Sequence, residues 1–243
     1  MIRADKIFGH RLIMTPVASY VGMAGILYGV FALATGAASL WWLIPMVFST
    51  FWVLMGITVG FHRLFTHRAF KTNSIWNLIL LYLGTVGIYG SSIQWGAMHA
   101  SHHMYSDTTY DPHYTGWRYL FWKKNNYTRF HKKTLMRLYR DPMHRFFHNY
   151  YALIVFLTAG IMSLISLNML VFCYLIPLGW LHFVGSAHQV FAHDSKGPLD
   201  QPLMEFALFT GGEWCHKWHH DHQKDPWFGS ADVGYHVIRM IKS

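Results

Sequence analysis

Eight histidines fall into three short segments of this 243-residue chain: His62 and His67, then His99, His102 and His103, then His216, His219 and His220. Imidazole is a good ligand for iron, zinc and copper, and this density exceeds what a folded core needs. The spacing His-x-x-His-His occurs twice. It places rings at i, i+3 and i+4, on one face of a helix and close enough to converge on a metal. His62 and His67 differ: at about 100° per residue, positions five apart diverge by about 140° on an α-helix. They either serve two different metals or sit where the helix ends. A ninth candidate, His188, lies at the end of the last long apolar run, where an ionisable group is costly and marks function. A zinc ion takes about four ligands. Nine imidazoles are therefore too many for one metal and suit two, with water or oxygen completing the shells. Calcium and magnesium prefer oxygen ligands, so an all-histidine pair points to redox iron.

The elements that must carry these rings are apolar. Of the residues, 53% are hydrophobic and 13% charged, and no charged side chain occurs between Arg11 and Arg63 or between Arg145 and Asp194. As single helices these gaps of 51 and 48 residues would run roughly 70–75 Å, against a hydrocarbon core of about 30 Å. Each is read as two crossings joined by a tight turn, at Ala34–Ser39 and at Ser163–Asn168. The expected fold is all-α, with four transmembrane helices in two hairpins (12–35 with 40–60, and 147–164 with 168–190). Segment 73–94 is apolar but rich in Gly, Ser and Asn, and is read as a helix in the membrane interface. The alternative, a fifth crossing, would put the first two histidine segments on opposite faces. Residues 104–145 and the tail complete a polar helical cap that carries the clusters.

Neither turn holds Lys or Arg. The 20 basic residues fall in the N-terminus, in 61–145 and after residue 193. By the positive-inside rule that face, with both termini and all three clusters, is cytoplasmic. The net charge of +9 suits anionic lipid, an acidic protein or a phosphorylated substrate. Nucleic acid is not an expected partner, because the basic residues are membrane-bound and no nucleic-acid motif appears. Lys123, Lys124, Arg129, Lys132, Lys133, Arg137, Arg140 and Arg145 form a basic segment that grips lipid or receives an acidic electron donor.

Cys173 lies mid-span and Cys215 on the reducing side, so no disulfide is expected. His182 reads as an interhelical hydrogen bond. His10, His131, His144, His148 and His236 read as surface or interfacial groups. His113, His193 and His222 are close enough to the clusters to support them from outside. Without repeats or linkers, residues 1–243 read as one domain.

In box order and spacing, the stretch from about residue 55 to 225 resembles the membrane fatty acyl desaturases, most closely the stearoyl-CoA-type Δ9 branch. His62-Arg63-Leu64-Phe65-Thr66-His67-Arg68 is similar to the family's first box. Trp95 resembles the Trp preceding the second, and Asp111-Pro112-His113 the motif following it. Ser186-Ala187-His188 and Glu213 resemble the fourth-span histidine motif and the acidic residue leading the third box. The chain departs from the family at Ala97-Met98, Trp214 and Lys217, and at Val184, where the stearoyl-CoA type carries an Asn that holds a metal-bound water.

The resemblance implies two non-heme iron ions and O2 as co-substrate. It implies a long-chain saturated acyl substrate carried on CoA, lipid or a carrier protein, and a cis double bond as product. No cytochrome b5 signature is present, so the electrons are expected from a separate ferredoxin, rubredoxin or cytochrome b5. The abundant aromatics then line an acyl tunnel or anchor the protein in membrane lipid. A hydroxylase, ketolase or alkane monooxygenase would use the same clusters. A non-redox metal carrier would need acidic or polar residues within the spans, and none of the charged type is there.

Overall fold

The computed structural model describes residues 11–112, 117, 130–194, 197–200, 209–213 and 215–243. His10, His113, Lys123, Lys124, Arg129 and Trp214, singled out above, lie outside them. The described chain is almost wholly helical; its strands, β1 (His193–Asp194) and β2 (Gly197–Pro198), form one two-residue antiparallel pair.

The first uncharged gap forms α1 (Arg11–Ala34), a turn and a short 3-10 segment (Leu40–Trp42) capped by the Ser39 hydroxyl. It continues as α2 (Leu43–Met55), which runs unbroken into a π-helix, Gly56–Thr66. After it come α3 (Ser74–Val86), started by the Asn73 side chain, and α4 (Ser92–Tyr105), started by Ser91. Beyond the polar segment lie α5 (Lys132–Arg140) and α6 (Pro142–Asn149). Asp141 caps α6 and Pro142 opens it, a pairing that fixes a helix start because proline needs no hydrogen-bond partner there. Helices α7 (Tyr151–Ile165), α8 (Leu167–Leu170), a second π stretch (Val171–Leu175) and α9 (Ile176–Phe191) fill the second gap. The tail holds α10 (His216–Asp221) and α11 (Val233–Ile241).

Among the described residues, three continuous helical stretches are long and apolar enough to cross a membrane: Met14–Ala34, Leu40–Thr66 and Leu167–Phe191. A fourth arises if α6 and α7, bent by 66° at Tyr150, are counted together. The outward faces of these stretches are apolar, with Leu27, Phe48, Phe156 and Leu164 each at least 65% exposed. So large an exposed apolar surface fits lipid and not water. Helix α3 has 13 residues, about 20 Å of helix and short of the ~20 residues a crossing takes.

Two close helix approaches bring the spans together. A Cβ on Gly22 would lie 2.3 Å from the backbone of Gly179, so α1 and α9 meet at glycine on both sides. Gly56 and Gly84 do the same where α2 passes into the π-helix against α3, with a Cβ on Gly56 2.3 Å from the Gly84 nitrogen. The main core packs Met55, Val59, Phe61, Leu80, Leu81 and Ile93 with Leu138 and Ile238, and so joins spans, α5 and tail in one body.

The first two histidine segments close on one point: the Nε2 atoms of His67 and His99 are 2.9 Å apart. The chain between them therefore leaves the site and returns to it. His144 and His148, read from sequence as surface groups, are buried instead. Their Nδ1 atoms meet the hydroxyls of Ser92 and Ser91 at 2.8 and 2.7 Å, which ties α6 to the start of α4. His182 reaches the carbonyl of Gly87 at 3.0 Å, across from α9 to the end of α3. Both cysteines are free thiols.

Candidate metal centre

The π-helix decides where the first histidine pair points. In this ladder each N–H reaches back five residues and the turn is wider, so positions five apart come round to the same side of the helix. The His67 N–H donates to the His62 carbonyl at 3.1 Å, and the two rings lie 4.8 Å apart. Of the two readings left open by α-helical geometry, the structure takes the one in which the helix ends at His67, and both rings enter the same group.

That group comprises His62, His67, His99, His103 and His219; a second comprises His102, His193, His216 and His220. Within each, one ring nitrogen per residue lies within 4.8 Å of all the others. In the first, Nε2 pairs stand at 2.9 Å (His62–His219, His67–His99) and 3.0 Å (His99–His103, His103–His219). In the second, His216 Nε2 is 2.8 Å from that of His193 and 3.1 Å from that of His220. A neutral ring nitrogen carries either one proton or one lone pair, so it cannot satisfy two like neighbours. His99, His103, His219 and His216 each face two. A cation among them satisfies all. Ligands at about 2.1 Å from a metal and at right angles would stand about 3.0 Å apart, so the residues present fit a metal in each group.

Carboxylates hold the outer ring nitrogens. The Nδ1–H of His62 donates to Glu213 at 2.8 Å, that of His102 to Asp111 at 2.9 Å and that of His193 to Asp107 at 3.1 Å. This fixes the tautomer and turns the Nε2 lone pair inward. Burial pushes the Glu213 carboxyl up, but attraction and hydrogen bonding from His62, the charge of Arg63 and a hydrogen bond from Thr58 hold it down at about 2. Burial, reinforced by neighbouring imidazoles, holds His67, His99, His216 and His219 well below the usual histidine range. Burial also lowers His193, against the pull of Asp107. These rings are neutral at pH 7 and present lone pairs.

All eight histidines of the three segments enter the groups. His188 stands apart: its Nε2 donates to the Glu213 carbonyl at 2.7 Å, and its ring lies 4.8 Å from that of His216. His193, which the sequence placed only near the clusters, takes a place in the second group. Asp107 had no sequence signal beyond being an acid shortly after the second box. Trp95 stacks on His99 at 4.6 Å.

Beneath the rings lies a cavity of about 160 Å³. Its apolar walls include Leu54, Ile57, Leu181 and Val184, and its polar walls include His62, His99, His102, His216 and Gln189. An apolar cavity of about 150 Å³ takes up a benzene-sized guest, so this one has room for a short stretch of hydrocarbon against the imidazoles.

Replacing Asp111 with alanine is expected to weaken metal binding at the second group by about 10- to 100-fold, the usual effect of losing a carboxylate that orients a ligating histidine. Titration against a chromophoric chelator should give one weakened site and one unchanged.

No family model matches the chain. It is similar to a stearoyl-lipid 9-desaturase (sn-1) of Anabaena variabilis, 28% identical over 83% of this chain and 81% of the relative. An acyl-CoA Delta(11) desaturase of Trichoplusia ni is 27% identical over 91% of this chain and 69% of its own length. A hex-5-enoyl-[acyl-carrier protein] acetylenase of Moorena producens is 43% identical, over 32% of this chain and 27% of its own. With these relatives beside the paired histidine groups, the chain is a homologue of the acyl-CoA and acyl-lipid desaturases.

Proposed function

We propose that this protein is an O2-dependent fatty acyl desaturase that forms a cis double bond in a saturated acyl chain. The observation that carries the reading is the packing of nine imidazoles into two groups directly against an apolar cavity. His62, His67, His99, His103 and His219 would hold one non-heme iron, and His102, His193, His216 and His220 the other. His188, one ring away from His216, would join the second by turning from the Glu213 carbonyl. When bound, the irons would supply O2 activation and the removal of hydrogen from two adjacent methylenes. The rest falls to the chain's own residues. Leu54, Ile57, Leu181 and Val184 hold the hydrocarbon beside the imidazoles and keep water away. Glu213, Asp111 and Asp107 keep their protons on Nδ1 and the inner nitrogens bare.

We read residues 1–243 as one domain of four spans in two hairpins, α3 as an interfacial helix, and the histidine groups and termini as cytoplasmic. The charge-free turns support this. The substrate is a long-chain saturated acyl group on CoA, lipid or carrier protein. The Anabaena relative's name carries position 9 and supports a bond near C9. A separate ferredoxin, rubredoxin or cytochrome b5 supplies electrons.

Metal analysis of protein purified from an iron-replete host should give two irons per chain. Mass spectrometry of derivatised host lipids should place one cis-alkene at a fixed count from the carboxyl end. Stoichiometric zinc without iron in active protein would sink the redox reading. A hydroxyl or keto product with no alkene would move the chain to the oxygenases.

A further inference from the structure

The first histidine group has an open side. Of its rings, His62, His99 and His219 are buried, while His67 and His103 are half-buried. Those two belong to the wall of an open basin of about 760 Å³, which shares no lining residue with the apolar cavity. Met104 of α4, His131 at the start of α5 and the stretch from Asp221 to Asp225 also line it. The apolar cavity meets the two groups through His62, His99, His102 and His216 instead. No ring of the second group is among the basin's described lining residues.

The charge of this lining favours a cation. Among the described lining residues, the carboxylates of Asp221 and Asp225 stand against the single ammonium of Lys224. Lys133 and Arg137 act on His131 and place positive charge at that wall. The Asp221–Asp225 stretch is therefore the side that a cation meets first. An open recess lined by negative charge raises the local concentration of cations and speeds their arrival. The two carboxylates are not themselves a metal site, because they join neither group of converging ligand atoms. What matters is the wall behind them, where two of the five imidazoles that fit a metal face water. A hydrated divalent ion needs such an opening. Moving its charge through apolar surroundings such as Leu54, Ile57 and Leu181 is costly.

We propose that the basin is the entrance through which hydrated divalent iron reaches the first group. Asp221 and Asp225 draw the ion in, and His67 and His103 are the first rings to bind it. The inference rests on the metal-binding part of the desaturase reading and not on the acyl reaction. The ion exchanges water for imidazole nitrogens with no change of oxidation state, so the step needs no oxidant or reductant. His62, His99 and His219 then close on it from the buried side. Release retraces the same path. An obstacle at the mouth therefore slows entry and exit by the same factor and leaves the affinity unchanged.

The test uses the full metal-free chain in phosphatidylcholine nanodiscs, with Co²⁺ as an air-stable divalent ion that histidine sites accept. Uptake is followed by stopped-flow absorbance, release by chelator challenge and final metal content by atomic emission. The uptake phase missing in His219→Ala belongs to the first group. D221N/D225N keeps an acceptor for the Trp227 N–H. It should slow that phase about fivefold or more at low ionic strength, with the effect lost at high salt. Lys224→Gln should speed it. Met104→Trp, in the basin wall, should slow uptake and release alike. Met240→Trp, on α11, and Val184→Phe, in the apolar cavity, should change neither. The proposal is overturned if the phase is unchanged in D221N/D225N or in Met104→Trp. It is also overturned if Val184→Phe slows the phase, which would put the entrance through the apolar cavity. Lower final metal content in D221N/D225N overturns it too, and makes the carboxylates ligands instead of guides. Wild-type chain that takes up no Co²⁺ removes the proposal and the metal reading together. The expected rates without an alkene from a stearoyl substrate leave the entrance intact and remove only the desaturase reading.

Discussion

Replacing His219 with alanine is expected to abolish alkene formation and to remove the metal of the first group while the protein still inserts and folds. His219 Nε2 meets those of both His62 and His103. It is thus the ring through which the tail closes on the spans. The cut leaves four imidazoles from the first two boxes, and no other described side chain stands at its place. Metal content should fall from two to one per chain. The far-ultraviolet circular dichroism should hold, because His219 lies on a helix of only six residues. Retained activity with full metal content would remove His219 from the ligand set.

The second large effect is on stability. Arg63, inside the first histidine box, is fully buried and bonds Asp232 at 2.7 Å. It also reaches the carbonyls of Pro226 and Gly211, each at 3.0 Å, and lies 3.9 Å from the centre of the Phe228 ring. Asp232 in turn accepts the N–H groups of Phe228 and Tyr235, and so caps α11. Asp232→Ala takes from the buried guanidinium its nearest carboxylate and leaves it only Glu213, 3.6 Å away; breaking a buried pair outright costs about 3–5 kcal/mol, which sets the upper bound here. The tail should detach from the π-helix and take the third box with it. Chemical denaturation in detergent should show the loss, and limited proteolysis should cut between residues 209 and 232. Asp232→Asn, which keeps the hydrogen bonds to the backbone, should lose less.

Most of the site was legible because ligand chemistry is local. The i, i+3, i+4 spacing of His99, His102 and His103, and of His216, His219 and His220, fixes a face whatever surrounds it. The helix breaks at 35–39 and at Ser166 were legible because charge-free stretches of about 50 residues cannot cross a bilayer once. Three features were not legible. The π-helix reverses the relation of His62 to His67, and nothing in Gly56–Thr66 distinguishes an i+5 ladder from an i+4 one by composition. His193 belongs to no box, and only the pairing of β1 with β2 and the position of Asp107 bring it in. His144 and His148 looked like surface groups because their partners, Ser91 and Ser92, are over fifty positions away. The sharp bend at Tyr150 has a partial signal in Asp141-Pro142, which starts a helix just ahead of the apolar run.

The dispersal of the nine rings along the chain orders events during synthesis. His62, His67, His99 and His103 leave the ribosome before the second gap, so the first group is four-fifths assembled while that gap is still being made. The second group then holds only His102 and gains His193 after the Leu167–Phe191 stretch. Both are finished by the same six-residue helix, which follows all the described spans. Neither group has its full set of rings until His219 and His220 have been made. A chain stopped before residue 216 would carry its described spans with neither group closed.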